Sequence, residues 1–199
     1  MKYIIMADGK GTRWGNYQDI PKHLIQIGGE TLLGRTVRLL NEKDPGCEVV
    51  ITSHDERYEF EGARRYEPKN NRLEIDRFTE ELIADNICFL YGDTYYSEEA
   101  VETITAELVD DILFFGNARA IVAVKVADGK LFKHHVDRVR ALFLEGKIKK
   151  CIGWQVYQSF LNLPFGEKKI DTKFILLKDG TEDFNCLFCY CPLYALGRG

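Results

Sequence analysis

No stretch of this sequence approaches the ~18 consecutive apolar residues of a membrane-spanning helix, so no contact with a bilayer interior is expected. Basic residues are not in excess, since 27 Lys and Arg stand against 31 Asp and Glu for a net charge of −4. Domains that hold nucleic acid by bulk electrostatics are usually basic, so that class of partner is excluded, while a local basic pocket for a small anion is not. Internal repeats, low-complexity tracts and linkers rich in Pro, Gly or Ser are all absent. The six cysteines (Cys47, Cys88, Cys151, Cys186, Cys189 and Cys191) show no secreted-type spacing. Three of them crowd "CLFCYC", yet structural zinc needs four Cys or His ligands and no histidine or further cysteine lies nearby, so buried thiols are the reading preferred. The opening "MKYIIMADGKG" turns polar too early for the core of a signal peptide, and the expected compartment is the cytoplasm.

What is present is an ordinary globular composition, with 199 residues of which 45% are hydrophobic and 29% charged. One domain over 1–199 is expected, large enough to remove ~70% of its unfolded surface from water. "KYIIMA" is a continuous apolar run ending in glycines, as in a parallel strand covered on both faces. "ETLLGRTVRLLNEK" predicts a helix with Thr31 as N-cap and Leu32, Leu33, Val37 and Leu40 on one face. "CEVVITS" and "NICFLYGD" read as further strands, and the spacing of Ile75, Phe78 and Leu82 predicts a helix from Leu73 to Ile83. Ser97, followed by Glu98 and Glu99, looks like the start of another helix with Val101, Ile104 and Leu108 inward. "DILFFG" and "AIVAVKVA" are two strands joined by a polar turn at Asn117. "GKLFKHHVDRVRALFLEGK" places Phe132, Val136, Val139 and Phe143 on a helical stripe, and "KFILL" is a last strand. Strands alternating with helices imply an α/β sheet with crossover connections. In open α/β sheets ligands bind beyond the carboxyl ends of the strands, which brings the loop after the first strand and Gly92-Asp93 to one rim.

That first loop, "MADGKGTRWG", has the character of a phosphate loop. It is not a P-loop, because no G-x-x-x-x-G-K-[ST] occurs. Nor is it the dinucleotide fingerprint, since Gly9, Gly11 and Gly15 are spaced one residue too long and no acidic residue closes "VVITS". Small residues let backbone N–H groups approach a triphosphate. Arg13 brings a planar fork for phosphate oxygens, and Lys22 a point charge. The run "GKGTRWGNYQDIPKHLIQIGG", with Gly9, Gly11, Thr12, Arg13, then Pro21, Lys22, Leu24, Gly28 and Gly29, resembles the N-terminal signature of the nucleotidyltransferase (nucleotide-sugar pyrophosphorylase) family.

The resemblance is dense over roughly the first 40 residues and patchy beyond them. It implies a Rossmann-like (GT-A-like) three-layer α/β/α fold with a central mixed, mostly parallel sheet. "FLYGDTYYSEEAV" resembles the family's strand with a metal-binding aspartate, making Asp93 the first ligand of Mg²⁺. "LKDGTEDFN" resembles the segment of the second ligand, with Asp183 first, then Asn185, and Asp179 as the alternative. "YEPKNNRLEIDRF" resembles the base-side segment of choline-phosphate-type cytidylyltransferases, so Asn70 and Asn71 would read the base of CTP or UTP. The nucleotide-binding set implied is Ala7, Gly9, Lys10, Gly11, Thr12, Arg13, Lys22, Asn70, Asn71 and Gly92, with Arg13 and Lys22 catalytic. Two departures stand out: Asp8 replaces the small residue expected before the loop glycine, and "CLFCY" follows "DFN" where the family has Thr-Pro-Glu-Asp.

The reaction implied is attack of a phosphorylated small-molecule acceptor on the α-phosphorus of an NTP. Such an acceptor is already an oxyanion, which fits a sequence without a Ser/His/Asp or Cys/His constellation. His134 and His135 are read as surface histidines, and Trp154 and Tyr157 as core rather than acceptor pocket. A glycosyltransferase using a nucleotide-sugar is the nearest rival, but its usual D-x-D triplet is missing. A non-catalytic nucleotide sensor is the other alternative.

Overall fold

The computed structural model describes residues 1–9, 20–167 and 169–177. The chain runs through β1 (Lys2–Met6), a short hairpin of β2 (Gln26–Ile27) and β3 (Glu30–Thr31), α1 (Leu32–Lys43), β4 (Glu48–Thr52), β5 (Arg64–Tyr66) and β6 (Ile87–Tyr91). It continues through α2 (Glu98–Ala106), β7 (Ile112–Gly116), β8 (Ile121–Val126), α3 (Gly129–Leu144), α4 (Gly153–Phe160) and β9 (Phe174–Leu176). Seven strands form one sheet in the order β5-β4-β1-β6-β8-β7-β9. Within it β8 runs antiparallel to both its neighbours, while the other pairings are parallel. The mixed, mostly parallel sheet implied by the resemblance is what forms.

Successive residues of a strand point to opposite faces, and β1 shows the consequence. Ile4 faces a core with Val50, Phe89, Phe114 and Val124, closed by Phe132, Val136 and Val139 of α3 and by Trp154 and Tyr157 of α4. Tyr3 and Ile5 face the other core, with Val49, Ile51 and Leu90, closed by Leu33, Val37 and Leu40 of α1 and by Val101 and Ile104 of α2. Both layers of helix are therefore held by apolar burial against one sheet. The caps fall where the sequence places them: Thr31 accepts from Gly34 N at 3.0 Å and Ser97 from Ala100 N at 3.1 Å. Gly28 and Gly29 form the two-residue turn between β2 and β3, both with positive φ (63° and 92°), a conformation that favours glycine.

Some expectations need correction. Leu73–Ile83 is not an α-helix but two 3-10 turns, Glu74–Arg77 and Glu80–Leu82. The apolar residues Ile75, Phe78 and Leu82 do turn inward, but the Asp76 carboxylate ties the start of the segment by accepting from Arg72 N (2.9 Å) and Leu73 N (2.7 Å). Leu108 is 94% exposed, because α2 ends at Ala106. The buried Lys125 ammonium stops it there, donating to the carbonyls of Ile104, Thr105 and Glu107 at 3.0, 3.0 and 2.5 Å. His134 is exposed as expected, but His135 is buried against Ser159 Oγ at 2.9 Å. Trp154 and Tyr157 are core residues, as expected. The edge strand β5, the small β2–β3 hairpin and α4 carry no clear signal in the sequence.

Candidate active site

Because β4, β1 and β6 are adjacent and parallel, their carboxyl ends open on one side of the sheet. The loop after β1 starts at Ala7, Asp8 and Gly9, and β6 leads into Gly92 and Asp93 on the same rim. These strand ends touch. Gly92 N donates to Met6 O at 3.0 Å, and a Cβ on Gly92 would stand 2.9 Å from that oxygen and 3.2 Å from the Cβ of Ala7. Ala7 is 2% exposed and donates its N–H to Thr52 O at 3.1 Å. Both residues thus join β1 to its neighbours, which fixes where the loop begins and where Asp93 emerges.

Lys22 arrives from a 3-10 turn, Lys22–Leu24, that follows Pro21. The turn is anchored by His23, 3% exposed, whose Nδ1 is 2.8 Å from the Tyr58 hydroxyl and whose ring meets that ring edge-on. Burial pushes the His23 pKa down to about 4, helped by the charges of Lys22 and Arg77 and opposed by Asp93, so this imidazole is neutral. With His23 locked inward, Lys22 reaches Asp93 and forms an ion pair with its carboxylate. Burial works to raise the Asp93 pKa, but the charge and hydrogen bond of Lys22, with Arg77 beyond, outweigh it and hold the carboxyl below its usual range. The two residues expected to handle phosphate and metal therefore meet at the rim.

Asn71 also comes to the loop. Its amide nitrogen lies 2.6 Å from Asp8 O and 2.7 Å from Asp8 Oδ2. Both of those atoms only accept hydrogen bonds, so the NH₂ end must face Asp8 and the carbonyl oxygen of Asn71 must face away. The same Asp8 carboxylate accepts from His54 N at 3.0 Å and lies 2.8 Å from His54 Nδ1. Asp8, a departure from the family signature, thus ties the ends of β1 and β4 to the Asn71 loop. Asn70 is exposed and takes no part in this network.

Arg77 was not anticipated. Its guanidinium lies against Gly9, where a Cβ would stand 3.4 Å from Nη2. His23 lies inside "PKHL" and Arg77 inside "YEPKNNRLEIDRF", but the resemblance implies no role for either of them or for His54. Lys10, Gly11, Thr12, Arg13, Asp179, Asp183 and Asn185 lie outside the described residues. Among the described residues, no three or more His, Cys, Asp or Glu side chains cluster as a metal site.

The chain is similar in fold to cytidylyltransferases of known structure, and parts of its sequence are similar to two curated proteins. No family model matches it. The structure is similar to that of the CTP:phosphocholine cytidylyltransferase LicC from Streptococcus pneumoniae, with a TM-score of 0.57 over 90% of this chain and 91% of that one, at 16% identity. In sequence it is 35% identical over 65 residues to the bifunctional protein GlmU of Neisseria meningitidis, covering 33% of this chain. It is 26% identical over 156 residues to the bifunctional IPC transferase and DIPP synthase of Archaeoglobus fulgidus, covering 67% of this chain. The chain spans 14% and 29% of the length of these two curated relatives. No helix among the described residues is long and apolar enough to cross a membrane.

Proposed function

We propose that this protein transfers a nucleoside monophosphate, CMP or UMP, from an NTP to a phosphorylated sugar, alditol or amino-alcohol and releases pyrophosphate, with Mg²⁺ as cofactor. The observation that carries the reading is the Lys22–Asp93 pair at the carboxyl end of β6, on the rim where the glycine loop begins. In the reaction an acceptor phosphate oxygen attacks the α-phosphorus, the bond from that phosphorus to the bridging oxygen breaks, and pyrophosphate departs with the electron pair. No proton has to move, so the protein's work is alignment and charge neutralisation. Lys22 offsets the charge on the transferred phosphoryl group. Arg13 steadies the β- and γ-phosphates in this reading.

Asp93 suits Mg²⁺ as a donor because its carboxyl stays ionised and Mg²⁺ commonly takes one or two protein carboxylates beside waters and substrate phosphates. Asp183, Asn185 or Asp179 would supply the second ligand. The ion would neutralise charge shared between nucleotide and acceptor phosphates. CTP is favoured over UTP because Asp8 turns the carbonyl oxygen of Asn71 outward, an acceptor that matches the exocyclic amine of cytosine. The fold likeness to an enzyme named for CTP and phosphocholine supports the same choice.

The test is pyrophosphate release with Mg²⁺, each NTP and a panel of phosphorylated sugars and alcohols, beside Lys22→Ala and Asp93→Ala. Release with one NTP and one acceptor, lowered ~10²–10³-fold by Lys22→Ala and lost in Asp93→Ala, is the expected result. An NTP bound without release across the panel would turn the reading to a nucleotide sensor. No NTP binding at all would overturn it.

A further inference from the structure

Among the described residues, the reaction outlined above leaves the cation Arg77, beside the start of the glycine loop, without a task. Arg77 closes the 3-10 turn Glu74–Arg77, which is held firmly: Ile75 and Phe78 are 0% and 1% exposed, and Arg140 Nη2 donates to the buried Asp76 carboxylate at 2.9 Å. From this base the guanidinium reaches the start of the glycine loop. A Cβ on Gly9 would stand 3.4 Å from its Nη2, 3.6 Å from Cζ and 3.9 Å from Nε. Its charge acts on Asp93 and His23 in the same sense as that of Lys22.

The side chain is 26% exposed, yet among the described residues its guanidinium donates no hydrogen bond. Glu74 Oε1, 3.9 Å from Nη1, is too distant for one. Other arginines of this chain donate to a carboxylate at close range: Arg38 reaches Glu30 at 2.7 Å, Arg57 reaches Asp55 at 2.6 Å and Arg140 reaches Asp76 at 2.9 Å. A guanidinium carries five N–H donors in a planar fork that matches phosphate oxygens. Here that fork is carried by a fixed turn, is largely covered and lies against a residue without a side chain.

We propose that Arg77 binds a phosphate group of a ligand seated over Gly9, as a second cation beside Lys22. The inference rests on the proposed function for there being a phosphate ligand at all. The phosphate belongs either to the nucleotide or to the acceptor, and the chemistry of the contact is the same.

The test is calorimetric binding of CTP, inorganic pyrophosphate and phosphocholine, all with Mg²⁺, to wild type, Arg77→Gln and Glu74→Gln. Arg77→Gln is expected to weaken CTP and pyrophosphate ~10–100-fold if the nucleotide supplies the phosphate, or phosphocholine alone if the acceptor does. Glu74→Gln is expected to change neither, which separates ligand binding from an ion pair within the turn. On the unmodified protein, saturating pyrophosphate or phosphocholine should protect Arg77 from phenylglyoxal, read by peptide mass, so the test survives a variant that does not fold. Wild-type binding that Arg77→Gln leaves intact, or Arg77 labelled equally with and without both ligands, overturns this inference alone. A wild type that binds none of the three probes overturns it together with the proposed function.

Discussion

Lys22 and Asp93, 71 positions apart in the chain, form a direct ion pair at the carboxyl end of β6, with side chains only 17% and 26% exposed. Each therefore sits in a site where removing its partner leaves a charge largely shielded from water. Lys22→Met should cost ~1–3 kcal/mol of stability at pH 7, measured by urea unfolding. The folded Asp93 carboxyl lies below its ordinary value of 3.8, so its contribution is complete above that value and lost as pH falls through the folded one. The difference between wild type and Lys22→Met should accordingly shrink below pH ~4.

His23 gives a second, separate pH dependence. Its pKa falls from 6.5 to about 4 on folding, because the ring is buried. Above the unfolded value the imidazole is neutral in both states. As pH falls through the window between the two values the unfolded chain takes up the proton first, and ~3 kcal/mol of stability is lost. Urea midpoints from pH 7 to 4 should show this decline, and His23→Gln should flatten it. An NMR titration placing His23 near 6.5 would contradict the account.

Asp8→Ala would restore the small residue of the family signature and release both Asn71 and His54. Loss of these charge-assisted hydrogen bonds should cost ~1–3 kcal/mol. The Asn71 amide would then be free to turn, so the ratio of kcat/KM for CTP over UTP should fall toward one. A ratio unchanged from wild type would remove Asp8 from base selection.

Gly92→Ala adds the smallest side chain to the closest approach at the rim, 2.9 Å from Met6 O. Backbone must give way on one side, at a cost of ~1–3 kcal/mol. Thermal unfolding should register it, together with weaker nucleotide binding as Asp93 is displaced.

Lys125→Met keeps the aliphatic stem of a residue that is 2% exposed but removes the donor that serves the last carbonyls of α2. A cation at a helix C-terminus is favourable, and carbonyls left unmet inside the protein are not. A loss of ~2–3 kcal/mol is expected by urea unfolding.

Elements with strong periodicity are legible in the sequence alone. β1, α1 and β6 follow from apolar runs and a Thr31 cap, and the parallel sheet from their alternation. β5, "RRY", was not legible, because an edge strand needs no apolar alternation and only its pairing with β4 makes it a strand. The segment 73–83 misled because an i, i+3 spacing serves a 3-10 turn as well as an α-helix. At the site, Lys22 and Asp93 were named from motifs, and the structure brought them together. Arg77 and His23 were not, since neither residue type is part of the pattern and each acts only through what folding places beside it.

The sequence by itself determined the class of fold, the glycine loop at the end of the first strand and the aspartate at the end of another, because these depend on local patterning and on the rule that parallel strands open on one side. Tertiary structure decided the charges around that loop. Whether Asp93 is neutralised by Lys22, whether His23 stays uncharged, which way Asn71 turns and whether Arg77 reaches Gly9 all depend on distances between residues remote in the chain. Burial and electrostatic interaction are set by those distances, and no local pattern encodes them.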